Sequence, residues 1–131
     1  MRDLVGAAKA LHAAGIMHRD IKPEHVLVTY GGGLKLCDFG VATPVKPYEE
    51  SRVSTLLYSS PEQLADSGYY GPAADMWAVG CIMVEILIGG PLFDDMSEEE
   101  VLARLPDERP TAAEALERPT AGLIAGNYTM V

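Results

Sequence analysis

The chain has 131 residues, 48% of them hydrophobic and 22% charged, which fits one globular domain and excludes an intrinsically disordered chain. Its net charge of −9 is concentrated late: residues 94–117 carry nine acids against Arg104 and Arg109, whereas residues 1–93 carry ten acids against seven bases. There is no basic stripe to hold nucleic acid or an anionic membrane, and two cysteines are too few for a disulfide scaffold or a cysteine metal framework.

The longest apolar stretch, Met76 to Val84, is too short to span a bilayer. The first 17 residues lack a continuous apolar core, so no secretory leader is expected and the default setting is cytoplasmic or nuclear. Asn127-Tyr128-Thr129 matches a glycosylation sequon that has no use there.

Residues 2–14 read as an amphipathic helix, with Leu4, Ala7, Ala8 and Leu11 inward, Arg2, Asp3, Lys9 and His12 toward water, and Gly15 as its stop. Ile16-Met17 leads into a polar loop from His18 to Glu24, where Pro23 discourages helix. Val26 to Tyr30 and Leu34 to Cys37 read as two strands joined by Gly31-Gly32-Gly33, a hairpin that ends at Asp38-Phe39-Gly40. From Val41 to Tyr58 no period survives.

Pro61 to Leu64 restarts a short helix with Ser60 as its N-cap. Residues 75–88 form the strongest helical pattern, apolar nearly all round and so expected to be buried throughout, with Gly89-Gly90-Pro91 stopping it. Ser97 to Leu105 and Thr111 to Leu116 read as short helices capped by Ser97 and Thr111, and the tail from Thr120 shows no period.

Two stretches carry chemistry. His18-Arg19-Asp20-Ile21-Lys22-Pro23 sets a carboxylate and an ammonium two residues apart in an irregular loop. After 17 intervening residues, Asp38-Phe39-Gly40 supplies a second carboxylate. Phosphoryl transfer needs an orienter for the attacking hydroxyl, a metal to neutralise phosphate charge and a cation on the transferring group. In this order and spacing the stretches resemble the catalytic loop and the metal loop of protein kinases.

That resemblance implies a role for each residue. Asp20 would accept or orient the substrate hydroxyl. Lys22 would sit over the γ-phosphate of ATP and marks the serine/threonine branch. Asp38 would hold Mg2+ between the β- and γ-phosphates, Phe39 would pack under the site and Gly40 would permit the turn. His18 would be a packed loop residue rather than a base.

Further blocks follow in the family's order. Thr55-Leu56-Leu57-Tyr58-Ser59-Ser60-Pro61-Glu62 is similar to the end of an activation segment, with Thr55 opening it. Asp75-Met76-Trp77-Ala78-Val79-Gly80 resembles the start of the buried central helix, where Asp75 would hydrogen-bond the catalytic-loop backbone. Arg109-Pro110-Thr111-Ala112 resembles the late segment whose arginine would pair with Glu62. The Thr-Leu-Leu-Tyr and Gly-Pro-Leu-Phe wording leans toward cyclin-dependent kinases. The partners this implies are a protein substrate and a kinase or cyclin-like protein.

The chain departs from the family at four points. No Gly-rich phosphate loop, strand lysine or paired helix glutamate precedes the catalytic loop. Losing one preorganised electrostatic contact costs on the order of 10²–10³ in rate, so the 131 residues alone are expected to be inactive. His25 stands where the family's asparagine would bind a second Mg2+; the substitution is read either as inactivation or a shifted metal preference, or as drift. Only 15 residues separate Phe93 from Arg109, too few for two helices of ~11 residues each, so apolar surface is expected to stay exposed. Glu50 stands near the activating threonine position, either as a phosphate mimic toward Arg19 or as a solvated loop glutamate.

The expected fold is therefore mainly α with a small β-hairpin, a truncated protein-kinase-like C-terminal lobe over residues 1–118 with a tail at 119–131. Two functions stay open: a piece of an active serine/threonine kinase, or a non-catalytic pseudokinase remnant that binds partners.

Overall fold

The computed structural model describes residues 1–45, 55–64, 71–93 and 96–103. Helix α1 (Arg2–Ala13) forms where Leu4, Val5 and Ala8 fall on one face, and all three are buried. Asp3 lies in its first turn and accepts a hydrogen bond from the Leu34 N–H at 3.1 Å, tying the helix to the hairpin. The helical pattern pointed His12 to water. It instead turns inward, because a buried carboxylate on a later helix accepts its proton.

Strand β1 (Ile16–Met17) pairs antiparallel with a strand from the segment expected to be aperiodic, Thr43–Pro44, setting Ile16 opposite Pro44 and Met17 opposite Thr43. Two-residue strands carry no readable alternation; the distant partner creates them. Between these lies the expected hairpin. Strand β2 (Val26–Val28) pairs with β3 (Leu34–Leu36), Leu27 opposite Lys35, and Thr43–Pro44 is therefore β4. The strands are shorter than expected because Thr29 already belongs to the turn: its carbonyl accepts from Gly32 N–H and its Oγ1 from Gly33 N–H. Val26, Leu34 and Leu36 pack on the core, whereas Leu27 and Val28 face outward.

A 3₁₀ turn at Leu56–Tyr58 precedes helix α2 (Pro61–Leu64). Ser60 does not cap α2 with its hydroxyl. Its N–H donates back to Gln63 Oε1 at 2.9 Å, and Ser60 Oγ finds no partner among the described residues.

Helix α3 (Ala73–Ile88) is the spine of the core, and Gly89 ends it at φ +79°, where a side chain would be strained. The expectation of burial throughout holds only for its first half. Residues from Ala74 to Val79, with Cys81 and Ile82, are buried, but Ile86, Leu87 and Ile88 are each at least 60% exposed. Nothing among the described residues covers that last turn; the late region expected to be shortened lies largely outside the described residues.

Helix α4 (Glu98–Ala103) is acidic and starts with a capping box: Ser97 N–H donates to Glu100 Oε2 and Glu100 N–H donates to Ser97 Oγ. Val101 anchors α4 in the core, and α4 packs on α2. The expected helix at 111–116 lies outside the described residues. The core joins Leu4 and Ala8 of α1 to Trp77, Val79 and Ile82 of α3, with Ile21, Tyr58 and Phe93 around them. No helix among the described residues is long and apolar enough to cross a membrane.

Candidate active site

The site is built outward from one buried carboxylate. Asp75, in the first turn of α3 and 2% exposed, accepts three hydrogen bonds: His18 N–H at 2.9 Å, Arg19 N–H at 2.8 Å and His12 Nε2 at 2.9 Å. The first two hold the loop after β1 in an irregular path. Arg19 there takes φ +71°, a left-handed backbone that costs a side-chain-bearing residue about 1–2 kcal/mol. Fixed hydrogen bonds on both sides make that conformation tenable. His18 is fully buried; its Nε2 meets the Cys37 carbonyl at 3.0 Å and its ring lies 5.0 Å from that of Phe39. Arg19 Nε donates to the Val41 carbonyl at 2.6 Å, linking this loop to the one after β3.

Asp20 follows directly and is enclosed by partners. Its Oδ1 accepts from Thr55 N–H and Thr55 Oγ1, each at 3.2 Å, and its Oδ2 lies 3.0 Å from Lys22 Nζ. Lys22 Nζ also donates to Thr55 Oγ1 at 3.0 Å. The carboxylate, the ammonium and the hydroxyl therefore form a closed triangle across segments that are 33 residues apart in sequence.

Partial burial pushes the Asp20 carboxyl upward, but the bonds from Lys22 and Thr55 outweigh it and hold the group below its ordinary 3.8. A carboxyl depressed in the folded state contributes stability above its unfolded value and loses it as pH falls through the folded one. The urea midpoint of the wild-type chain should therefore approach that of Asp20→Asn as pH drops below 3.8. A gap between the two that stays constant from neutral to acid pH would refute this.

The second carboxylate comes from the end of the hairpin. Asp38 takes φ +59°, its Oδ1 accepts Gly40 N–H at 3.2 Å, and its side chain is 58% exposed. The turn's left-handed residue is thus Asp38 and not Gly40. A Cβ at Gly40 would stand 3.2 Å from Asp38 Oδ1, close enough that the Asp38 side chain would have to shift by a few tenths of an ångström. Phe39 is about half exposed and leans on His18 instead of being packed under the site.

His25 joins the two carboxylate segments. Its Nδ1 donates to the Asp20 backbone carbonyl at 2.8 Å, and its Nε2 stands 3.1 Å from Asp38 Oδ2. Asp20 Oδ2 is 3.5 Å from Nδ1. Segments 20 and 38 therefore meet, with an imidazole between them.

The family's Mg2+ would need oxygen donors at about 2.0–2.1 Å in an octahedral array. Here His25 Nδ1 is held by the Asp20 carbonyl, and Nε2, a nitrogen where the family has an oxygen, stands beside Asp38 Oδ2. Among the described residues, no group of three or more His, Cys, Asp or Glu is arranged to hold a metal ion. A nitrogen in place of an oxygen donor fits hard Mg2+ poorly at this position, and His25 lies between the two carboxylate segments. A recess bordered by Asp20, Tyr58 and Asp75 has about 190 Å3 of empty volume, open solvent included.

Two more contacts were not expected from the sequence. His12 on Asp75 is one. The other is Tyr58, whose hydroxyl donates to Glu85 Oε2 at 2.7 Å; burial and then that bond push the hydroxyl well above its ordinary 10.0. An acid interrupting an apolar helical run was the available signal for Glu85. Cys81 is buried, which pushes its thiol up to about 12, and so it stays a protonated packing residue. Cys37 is a free, partly buried thiol beside Asp38. Glu62 sits on α2, whereas its expected partner Arg109 lies outside the described residues, as does Glu50.

Comparison with known proteins agrees with this geometry. The family model described as "Protein kinase domain" matches residues 1–112. Cyclin-dependent kinase G1 of Arabidopsis thaliana is 44% identical over 109 residues, covering 80% of this chain and 18% of that protein. Mitogen-activated protein kinase mpkC of Emericella nidulans is 40% identical over 107 residues, covering 76% of this chain and 26% of that protein. A chain in the crystal structure of the yeast RNA Pol II CTD kinase CTDK-1 complex superposes with a TM-score of 0.70 at 35% identity, covering 78% of this chain and 34% of that one. The chain thus spans about a fifth to a third of the length of these relatives. With catalytic-loop and hairpin segments meeting on a helical lobe, the chain belongs to the protein kinase family, on the side of the serine/threonine kinases similar to cyclin-dependent kinases.

Proposed function

We propose that residues 1–118 are the C-terminal lobe of a cyclin-dependent-type serine/threonine kinase domain, with 119–131 as a tail. The reaction it serves is transfer of the ATP γ-phosphate to a protein serine or threonine. The observation that carries this reading is the Asp20–Lys22–Thr55 triangle. The Thr55 hydroxyl that donates to Asp20 marks the position a substrate hydroxyl would approach, with Asp20 orienting it and Lys22 offering positive charge beside it. The partners are a protein substrate and a cyclin-like or kinase protein, in the cytoplasm or nucleus.

Taken alone, the 131 residues do not transfer phosphate. Good ligand sites bury about 70–90% of their ligand, and Asp38 stands on an open surface, 58% exposed. A second reading, a non-catalytic remnant that binds partners, is favoured by one observation: His25 sits between the two carboxylate segments.

The test is a chimera that joins this chain to the nucleotide-binding lobe of cyclin-dependent kinase G1. The chain alone should give no labelled peptide above its Asp20→Asn variant. The chimera carrying His25→Asn should label serine and threonine peptides in an Asp20-dependent manner. A folded, ATP-binding chimera that stays silent both with and without the His25→Asn substitution would sink the kinase reading in favour of the remnant.

A further inference from the structure

We infer that Tyr58 and Glu85 are positioning residues: together they set where Thr55 stands, and through Thr55 they set the Asp20–Lys22 pair. The inference rests on the kinase reading only in taking Asp20 and Lys22 as the groups that face the reaction.

The reason begins in α3. Along Ala73–Ile88 only Asp75 and Glu85 are charged. A charged side chain on a core helix needs a partner, and each has one on a different side of the site. Asp75 holds the N–H groups of His18 and Arg19, and so the loop that carries Asp20 and Lys22. Glu85 stands about 15 Å further along the helix at 1.5 Å per residue, and it accepts the Tyr58 O–H at 2.7 Å.

Tyr58 closes the 3₁₀ turn Leu56–Tyr58, and that turn leads back to Thr55. Tyr58 N–H donates to the Thr55 carbonyl at 3.0 Å, and Ser59 Oγ donates to the same carbonyl at 3.1 Å. On its other side Thr55 gives its N–H and its hydroxyl to Asp20 Oδ1 and receives Lys22 Nζ. The path from Glu85 to Asp20 therefore consists of hydrogen bonds and one tight turn. Leu57 packs on the core and Tyr58 is buried, whereas Leu56 is 41% exposed, so the turn is held from its tyrosine end.

The hydroxyl gives that hold a direction, which packing of the ring alone does not. Glu85 is itself fixed, since its carbonyl accepts the Gly89 N–H at 2.8 Å where α3 ends. Burial and then Glu85 push the Tyr58 hydroxyl well above its ordinary 10.0, so it remains a donor at neutral pH. The two carboxylates of α3 thus fix both sides of the triangle to one helix: Asp75 fixes the catalytic loop, and Glu85 fixes the segment that faces it.

The test is amide hydrogen exchange in the full 131-residue chain, with no nucleotide present. Two amides are compared: Thr55, which donates to Asp20, and His18, which donates to Asp75. In Tyr58→Phe and in Glu85→Ala, Thr55 exchange should accelerate about tenfold, the size expected for one lost hydrogen bond. His18 exchange should change by less than about twofold, because the opening is local. Glu85→Gln keeps an oxygen acceptor for the hydroxyl and should return Thr55 to within about twofold of the wild type. The Thr55 amide proton supplies a spectroscopic signature: Asp20→Asn should shift its resonance in the wild type and much less in Tyr58→Phe.

Thr55 exchange in Tyr58→Phe equal to the wild type would overturn the inference and leave the ring alone as the anchor. Equal acceleration at Thr55 and His18 would also overturn it, since that marks a general loss of stability. If Tyr58→Phe and Glu85→Ala do not fold, Glu85→Asp decides. Its carboxylate is withdrawn by one methylene, so Thr55 should exchange faster than in the wild type; an unchanged rate rejects the inference. None of these readouts involves phosphate transfer, so they are separable from the kinase reading, which is decided by Asp20-dependent transfer in the chimera.

Discussion

Asp75→Ala will lose about 3–5 kcal/mol of folding stability, the loss expected when a buried, multiply bonded charge is removed from its partners. The carboxylate is 2% exposed and holds the N–H groups of His18 and Arg19 together with His12 Nε2. Alanine would leave two buried backbone donors without acceptors, each costing roughly 1–3 kcal/mol. Domains of this size hold only about 5–15 kcal/mol in total. The readout is built in, because Trp77, the sole tryptophan, is buried two residues further along α3. Urea titration followed by its fluorescence should show a much lower midpoint. Hydrogen exchange at the His18 and Arg19 amides should accelerate more than at residues of the hairpin. Asp75→Asn should fall between wild type and alanine: it keeps one oxygen acceptor but turns an NH2 group toward an N–H. An unmoved midpoint in Asp75→Ala would remove Asp75 as the anchor of the loop.

Trp77→Ala will be of similar size, about 3–5 kcal/mol, for a different reason. Trp77 is 7% exposed and its ring stacks on Phe93, with centroids 5.9 Å apart and planes 11° apart. Its removal takes the largest side chain out of the contact between α3 and the segment after it, and so opens a cavity. Circular dichroism must follow this variant, since no tryptophan remains. Leu87→Ala is the control: Leu87 lies on the same helix but is 61% exposed, and surface changes of that kind stay within about ±0.5 kcal/mol. Equal losses in the two variants would show that the apolar end of α3 is covered in solution.

These two positions show how unevenly the fold could be read. α3 was legible because its apolar run is long and ends in glycine. That its last turn emerges into solvent was not legible, since periodicity reports which residues can be buried and not how far the neighbouring elements extend. α1 was legible for the same reason, but His12 was misdirected: helical spacing placed it among polar residues, and only the approach of Asp75 gives it an inward partner. The β1–β4 pair was invisible because two residues on each side contain no alternation. At α2 the N-cap was foreseen at the right residue with the wrong group: Ser60 sits at the position, but Gln63 makes the bond.

The candidate site divides in a similar way. Asp20, Lys22 and Asp38 stood out through residue type and spacing, which are local properties of the chain. Thr55 touching both Asp20 and Lys22, and His25 reaching from one carboxylate segment to the other, arise from segments folded back on one another. Chemical identity is written residue by residue, so the linear chain was enough to show which groups could move a phosphate. Whether those groups stand open or already bonded to one another depends on distances that exist only after the loops close around Asp75.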